Sequence, residues 1–220
     1  MISELPSIAE RQRFPAPAVT PQALAWHGDT LWIGSRDLRR IYEMDPKSWT
    51  VRKETDAPGI PWAAVSTGKD LWFTLGEGPE DDRYLWRYDS EKGFSGSQRI
   101  PCPELTGSYL SYDGKNLYLS QWYKYRILKL DERGNILRVI EIGAEICGHT
   151  FVDGLIYVLR GTEQGEGNWR IARLDPREAN PKITELARVP FQCRSLGFDG
   201  QDFWTNHREA DTVVSFAMPH

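Results

Sequence analysis

Two histidines, His149 and His207, are the side chains best suited to move a proton near neutral pH, because an unperturbed imidazole titrates there. Two arginines, Arg36 and Arg194, could hold a carboxylate or a developing anion through paired N–H bonds. Gln22, Trp62, Tyr109 and Trp122 supply amide, indole and phenol groups able to pack and orient a ligand, with Glu77 on a glycine-rich stretch nearby. These types together describe a pocket for one small polar molecule. Each histidine reads equally well as a hydrogen-bonded wall residue. Cys147 and Cys193 with His149 form a further set, conceivable as a metal or redox site. No CxxC or HxH spacing supports it, so free buried thiols are the expectation.

These residues lie far apart in the chain, so something regular must bring them together. The stretch Gly107 to Asp131, GSYLSYDGKNLYLSQWYKYRILKLD, reads as strand, Asp-Gly turn, strand, polar-aromatic loop, strand and closing Asp. The unit recurs. Second strands align as Leu31-Trp32-Ile33, Leu71-Trp72-Phe73, Leu117-Tyr118-Leu119, Ile156-Tyr157-Val158 and Phe203-Trp204-Thr205. Third strands start at Ile41, Leu85, Ile127, Ile171 and Val213, and the first four end on Asp45, Asp89, Asp131 and Asp175. A spacing of roughly 40 to 47 residues is that of a four-stranded propeller blade. The fifth copy lacks its last strand, and Glu10 to Ala16 could supply it, closing the ring and removing an open edge. The expectation is an all-β fold: a five-bladed β-propeller of four-stranded antiparallel blades, residues 1–220 forming one domain.

What recurs builds the ring. Trp32, Trp72, Tyr118, Tyr157 and Trp204 share one repeat position and are read as blade-to-blade packing, and the closing aspartates as turn residues. Function is expected where the copies differ. The starts of the inner strands give Gln22, Trp62, Ser108, Cys147 and Arg194, then Ala23, Ala63, Tyr109, Gly148 and Ser195, with His149 joining if the fourth copy slips by one residue. The loops from second to third strands add Arg36, then Glu77 with Glu80, Asp81 and Asp82, then Gln121 to Tyr125, Glu163 to Asn168, and His207-Arg208-Glu209. Such loops on a rigid scaffold tend to carry binding. Gly76, Gly78, Gly161, Gly165 and Gly167 should make the two acidic loops mobile. A plugged channel is the competing expectation.

Lys and Arg number 27 against 31 Asp and Glu, a net charge of −4. A mildly acidic chain without a basic run argues against nucleic acid and an anionic membrane surface as main partners. Hydrophobic residues make up 40% of the chain, which argues against disorder. Cys102, Cys147 and Cys193 make no disulfide framework. The N-terminal MISELPSIAERQR has no apolar segment of the export-signal kind, and no run reaches the roughly 18 apolar residues of a membrane span. The expectation is a reduced, cytoplasmic monomer.

WAAVSTGKDLWFTLGE resembles the blade signature of streptogramin B lyases. QALAWHGDTLWIGS with IYEMDP is similar to the first blade of the five-bladed glutamine cyclotransferases, which have Gln-Gly-Leu where this chain has Gln22-Ala23-Leu24. The resemblance runs over the whole repeat but consists mostly of packing positions. It implies an enzyme of lyase or cyclising type, with Gln22 and Trp62 carried over as pocket residues. The lyases are seven-bladed and use a metal with an essential histidine, which leaves a divalent metal as a cofactor to consider; this chain has too few copies and no matching His-Glu constellation. The cyclotransferases have an acidic residue and a Trp where this chain has Ala63 and Ser108.

Two functions follow. One is an enzyme acting on a small polar molecule at the channel mouth, with His149 or His207 moving the proton. The other is a non-catalytic propeller that senses a ligand or docks a protein through Trp122 and Tyr123.

Overall fold

The computed structural model describes residues 5–162 and 168–219. The chain is a five-bladed β-propeller: its five copies form five antiparallel sheets around one axis. From hub to rim the first blade runs Pro21–His27, Thr30–Ser35, Arg40–Asp45 and Thr50–Asp56. The third runs Leu110–Tyr112, Leu117–Gln121, Arg126–Leu130 and Ile136–Glu141, and the fourth Glu145–Val152, Leu155–Gly161, Trp169–Leu174 and Thr184–Val189. The second has Ile60–Ser66, Leu71–Glu77 and Asp82–Asp89, but its rim is split between the two-residue strands Gly93–Phe94 and Ile100–Pro101. Pro101 and Pro103 explain the short rim, since proline brings no N–H to a ladder.

Glu10–Pro15 completes the fifth blade beside Cys193–Phe198, Asp202–His207 and Thr212–Ala217. It pairs antiparallel with the last strand, from Glu10 opposite Phe216 to Pro15 opposite Thr212. Aromatic packing secures the closure. Phe14 stacks on Trp49 of the first blade at 4.1 Å, and the Trp49 indole N–H donates to the Pro15 carbonyl at 2.8 Å. Upstream, the Ile8 N–H donates to the carbonyl of Arg188 on the rim of the fourth blade at 2.9 Å, and the Arg188 N–H donates to the Pro6 carbonyl at 2.7 Å.

The middle strands are apolar on both faces because each blade is covered by two neighbours, whereas the rim strand TVRKETD is polar and exposed. The shared aromatic position does pack blade against blade. Trp32 meets Tyr88 of the second blade at 5.2 Å, Tyr118 meets Phe151 of the fourth at 4.8 Å, and Tyr157 meets Phe203 of the fifth at 5.0 Å. The closing aspartates cap their turns: Asp45 accepts from Lys47 and Asp131 from Arg133, both at 2.8 Å. Among the described residues no helix is long and apolar enough to cross a membrane. The expected mobile segment Glu163 to Gly167 lies outside the described residues.

Candidate functional site

Each inner strand is irregular where it enters the hub. The ladder slips between Pro21 and Ala23, Pro61 and Ala63, Ile146 and Gly148, and Arg194 and Gly197. A bulge inserts one residue and re-aims its side chain. Gln22, Trp62 and Cys147 are those inserted residues. In the third blade Ser108 and Tyr109 both face Ser120: the Ser108 N–H donates to the Ser120 carbonyl at 2.8 Å, the Ser120 N–H to the Tyr109 carbonyl at 2.9 Å, and the Tyr109 N–H turns to the Ser120 hydroxyl at 2.9 Å.

Above these bulges lies a cavity of about 260 Å³. Its charged lining is Arg36, Arg83, Arg194 and Arg208; its aromatic lining includes Trp62, Tyr109 and Trp122. No carboxylate and no histidine line it among the described residues. A wider cleft of about 440 Å³ continues outward over the second and third blades. It shares Arg83, Ser108, Trp122 and Tyr123 with the cavity and reaches Asp81, Asp82 and Glu104.

Each arginine is positioned differently. Arg83 lies over the Trp62 ring at 4.0 Å and is held by Asp81 at 2.6 Å and the Gly107 carbonyl at 2.7 Å. Asp81 also accepts from the Trp62 indole at 3.1 Å. Gly76 leaves room for this cluster, because a Cβ there would come within 1.6 Å of the Asp81 carboxylate. Arg194 is buried, donates to the Cys193 carbonyl at 2.9 Å and lies 5.4 Å from the Trp122 ring centre. Arg208 donates to Oε1 of Gln22 at 2.8 Å. Burial, and then the Arg194 cation, pull Arg208 below the ordinary guanidinium value. Arg36 is the most exposed of the four and pairs with Asp37 at 2.7 Å. The other counter-charge, Glu209, sits at the rim 3.4 Å from Arg208 and 3.8 Å from Arg194.

Below the cavity is a buried polar layer. The Gln22 amide donates to the Tyr109 hydroxyl at 3.1 Å and the Trp62 carbonyl at 3.2 Å. Ser195 and Asn206 donate to the Gln22 carbonyl, at 2.7 and 3.1 Å. Burial raises the Tyr109 phenol well above its usual value, so it stays protonated. His149 is part of this layer. Its Nε2 lies 3.1 Å from the Tyr109 carbonyl, which can only accept, so Nε2 carries the proton and Nδ1 accepts from Ser111 at 2.7 Å. Burial pulls its pKa down to about 4. Both ring nitrogens are thus engaged within the protein.

The cavity therefore brings together Arg36, Trp62, Tyr109, Trp122 and Arg194 from the residues singled out in the sequence. Gln22 and His149 lie beneath it. His207 stacks on Phe191 at 4.7 Å and accepts from Arg13 at 3.0 Å, outside the cavity. Glu77 turns towards the rim of the second blade, accepting from Trp86 at 2.8 Å and pairing with Arg99 at 3.3 Å. Arg208 enters from the sequence only within the loop His207-Arg208-Glu209, and Arg83 not at all. Arg208 follows its second strand as Arg36 and Trp122 follow theirs, and that shared repeat position was the available signal. Arg83 has no such mark. Three or more His, Cys, Asp or Glu side chains able to hold a metal ion do not converge among the described residues, so the donor set does not fit a lyase-type metal.

No family model matches the chain, and no curated protein matches it in sequence. Solved structures match it in shape. Glutaminyl cyclase from Myxococcus xanthus superposes with a TM-score of 0.74 over 97% of this chain and 98% of that one, at 10% identity. Aldose sugar dehydrogenase from Streptomyces coelicolor gives 0.61 over 97% and 99%, at 14% identity. Virginiamycin B lyase from Staphylococcus aureus, with quinupristin, gives 0.57 over 93% and 83%, at 17% identity. At such identities the likeness establishes the fold, and these neighbours on that fold are enzymes by name.

Proposed function

We propose that the protein binds one small anionic molecule with a flat apolar part in the hub mouth, and that it acts on it as an enzyme of lyase or cyclotransferase type. The observation that carries the reading is the lining: four guanidinium groups and four aromatic rings around about 260 Å³, with no carboxylate among the described lining residues. That volume suits a small molecule. Guanidinium forks match carboxylate, sulfate or phosphate oxygens, and Trp62 and Trp122 offer faces for a ring. The depressed Arg208 supports it, because an anion relieves the repulsion between Arg208 and Arg194. In catalysis the same groups would stabilise negative charge developing on a substrate oxygen. Gln22 would act from below, holding Arg208 and Tyr109 in place.

A second reading, a non-catalytic anion sensor, is favoured by one observation: no histidine or carboxylate lines the cavity among the described residues, and His149 has both nitrogens engaged. Titration calorimetry and indole fluorescence against small aromatic and aliphatic carboxylates, sulfates and phosphates test the binding. Saturable binding with quenching lost in Trp122→Phe is expected. Absence of binding across the whole panel overturns both readings. Turnover of a bound compound separates the first from the second.

A further inference from the structure

Cys147 and Cys193 lie at the hub next to Arg194. Cys147 is the inserted residue of Glu145–Val152, and Cys193 opens the inner strand of the adjacent blade. Both side chains are fully buried, and their sulfurs are 2.9 Å apart. The strands are pressed together here: a Cβ on Gly148 would lie 2.5 Å from the Ser195 carbonyl carbon. A disulfide needs about 2.05 Å, so the sulfurs lie within about an ångström of bonding distance. Cys102 packs elsewhere, between the second and third blades beside Gly107.

We propose that Cys147 and Cys193 are a redox pair that closes to an inter-blade disulfide beneath the mouth when a small neutral peroxide reaches it, and reopens with a dithiol reductant. One sulfur, deprotonated, attacks a peroxide oxygen; the S–O bond forms as the O–O bond breaks, and the departing hydroxide takes up the thiol proton as water. The second sulfur attacks the resulting sulfenic acid; the S–S bond forms, the S–O bond breaks, and a second water leaves. Two thiols lose two electrons in all, and one hydrogen peroxide becomes two waters. Full burial excludes glutathione disulfide, and a small neutral peroxide reaches the sulfurs through local opening of the two strands. Burial and the neighbouring Cys193 hold the Cys147 thiol well above its usual value, so closure is slow at neutral pH and quickens as pH rises. The bond would join positions 46 residues apart and pin the start of the strand that carries Arg194. This inference does not depend on the reading of the cavity.

The test is to expose the folded protein to hydrogen peroxide, quench, unfold it in an alkylating reagent and map the peptides. Expected are a Cys147–Cys193 cross-link, loss of two hydrogens, alkylation at Cys102 alone, and a melting temperature raised by roughly 5–10 °C. Dithiothreitol should reverse all of these, glutathione disulfide should not produce them, and Cys147→Ser and Cys193→Ser should show none. Three alkylated cysteines after peroxide overturn the proposal. So do sulfinic acids without a cross-link, or a bridge through Cys102. If a serine variant fails to fold, the wild-type peptide map decides alone.

Discussion

The two mouths of the hub are built from the same five inner strands, yet their chemistry is opposite. One is lined by four arginines among aromatic rings. The other is a cavity of about 160 Å³ lined by Leu24, Val65, Phe151 and Phe198 among others, with no charged side chain among the described residues. The turns explain the contrast. At the second mouth the first strand of each blade returns through short turns with positive-φ glycines, Gly28, Gly68, Gly114, Gly154 and Gly200, which bring little side chain towards the axis. At the first mouth the second strand leaves through longer turns that end in a left-handed residue: Arg39, Asp81, Tyr125 and Asp211. Three of these turns begin with Arg36, Trp122 and Arg208, which reach over the hub. One side of the ring closes its blades cheaply in residues, and the other uses its extra residues to place chemistry.

The strongest way to break this picture is to disturb the frame both mouths share. Gly148→Val should destabilise the fold by more than about 3 kcal/mol in urea unfolding, because the added carbons meet the Ser195 and Leu196 backbone rather than a flexible side chain. Unchanged stability would mean that the inner strands are not pressed together. The layer between the mouths can be read by pH. His149 has a pKa of about 4 in the folded chain against about 6.5 unfolded, so the unfolded state binds the extra proton. Its contribution is complete above pH 6.5 and disappears as pH falls towards 4, a loss of about 3 kcal/mol. His149→Gln should remove that part of the slope. At the charged mouth, Arg208→Gln should weaken anion binding about 10- to 100-fold by calorimetry, since it deletes a charge-assisted donor.

The ring was legible because it is written five times: the closing aspartates, the shared aromatic position and the missing last strand can each be read without coordinates. The mouth was legible only in part. Arg36 and Arg194 stand out as odd residues at repeat positions. Arg83 does not, because it reaches the cavity by crossing over Trp62, a contact made across two strands. Depth was the other unreadable quantity. A strand alternates its faces every residue, and the bulge at Cys147 changes which residues face the axis. No spacing in the sequence says that His149 then lies one layer down, with Ser111 and the Tyr109 carbonyl on its two nitrogens. Glu77 illustrates the same limit: it ends Leu71–Glu77 beside the loop, but its carboxylate is taken by Trp86 and Arg99.

The smallest expected effect is the sharpest control on the contrast between mouths. Ser66 belongs to the uncharged mouth, where its hydroxyl accepts from the Gly68 N–H at 3.0 Å and bonds to His27 at 2.8 Å. Ser66→Ala removes both bonds and should cost about 1 kcal/mol of stability. If the anion is recognised at the other mouth alone, its affinity should change by no more than about twofold, because no group that contacts it has moved. Parallel titrations of Ser66→Ala and Arg208→Gln at one ionic strength make the comparison, since screening weakens any long-range field equally in both. A loss in Ser66→Ala as large as that in Arg208→Gln would mean that the ligand, or its field, runs through the hub, and that the two mouths act as one site.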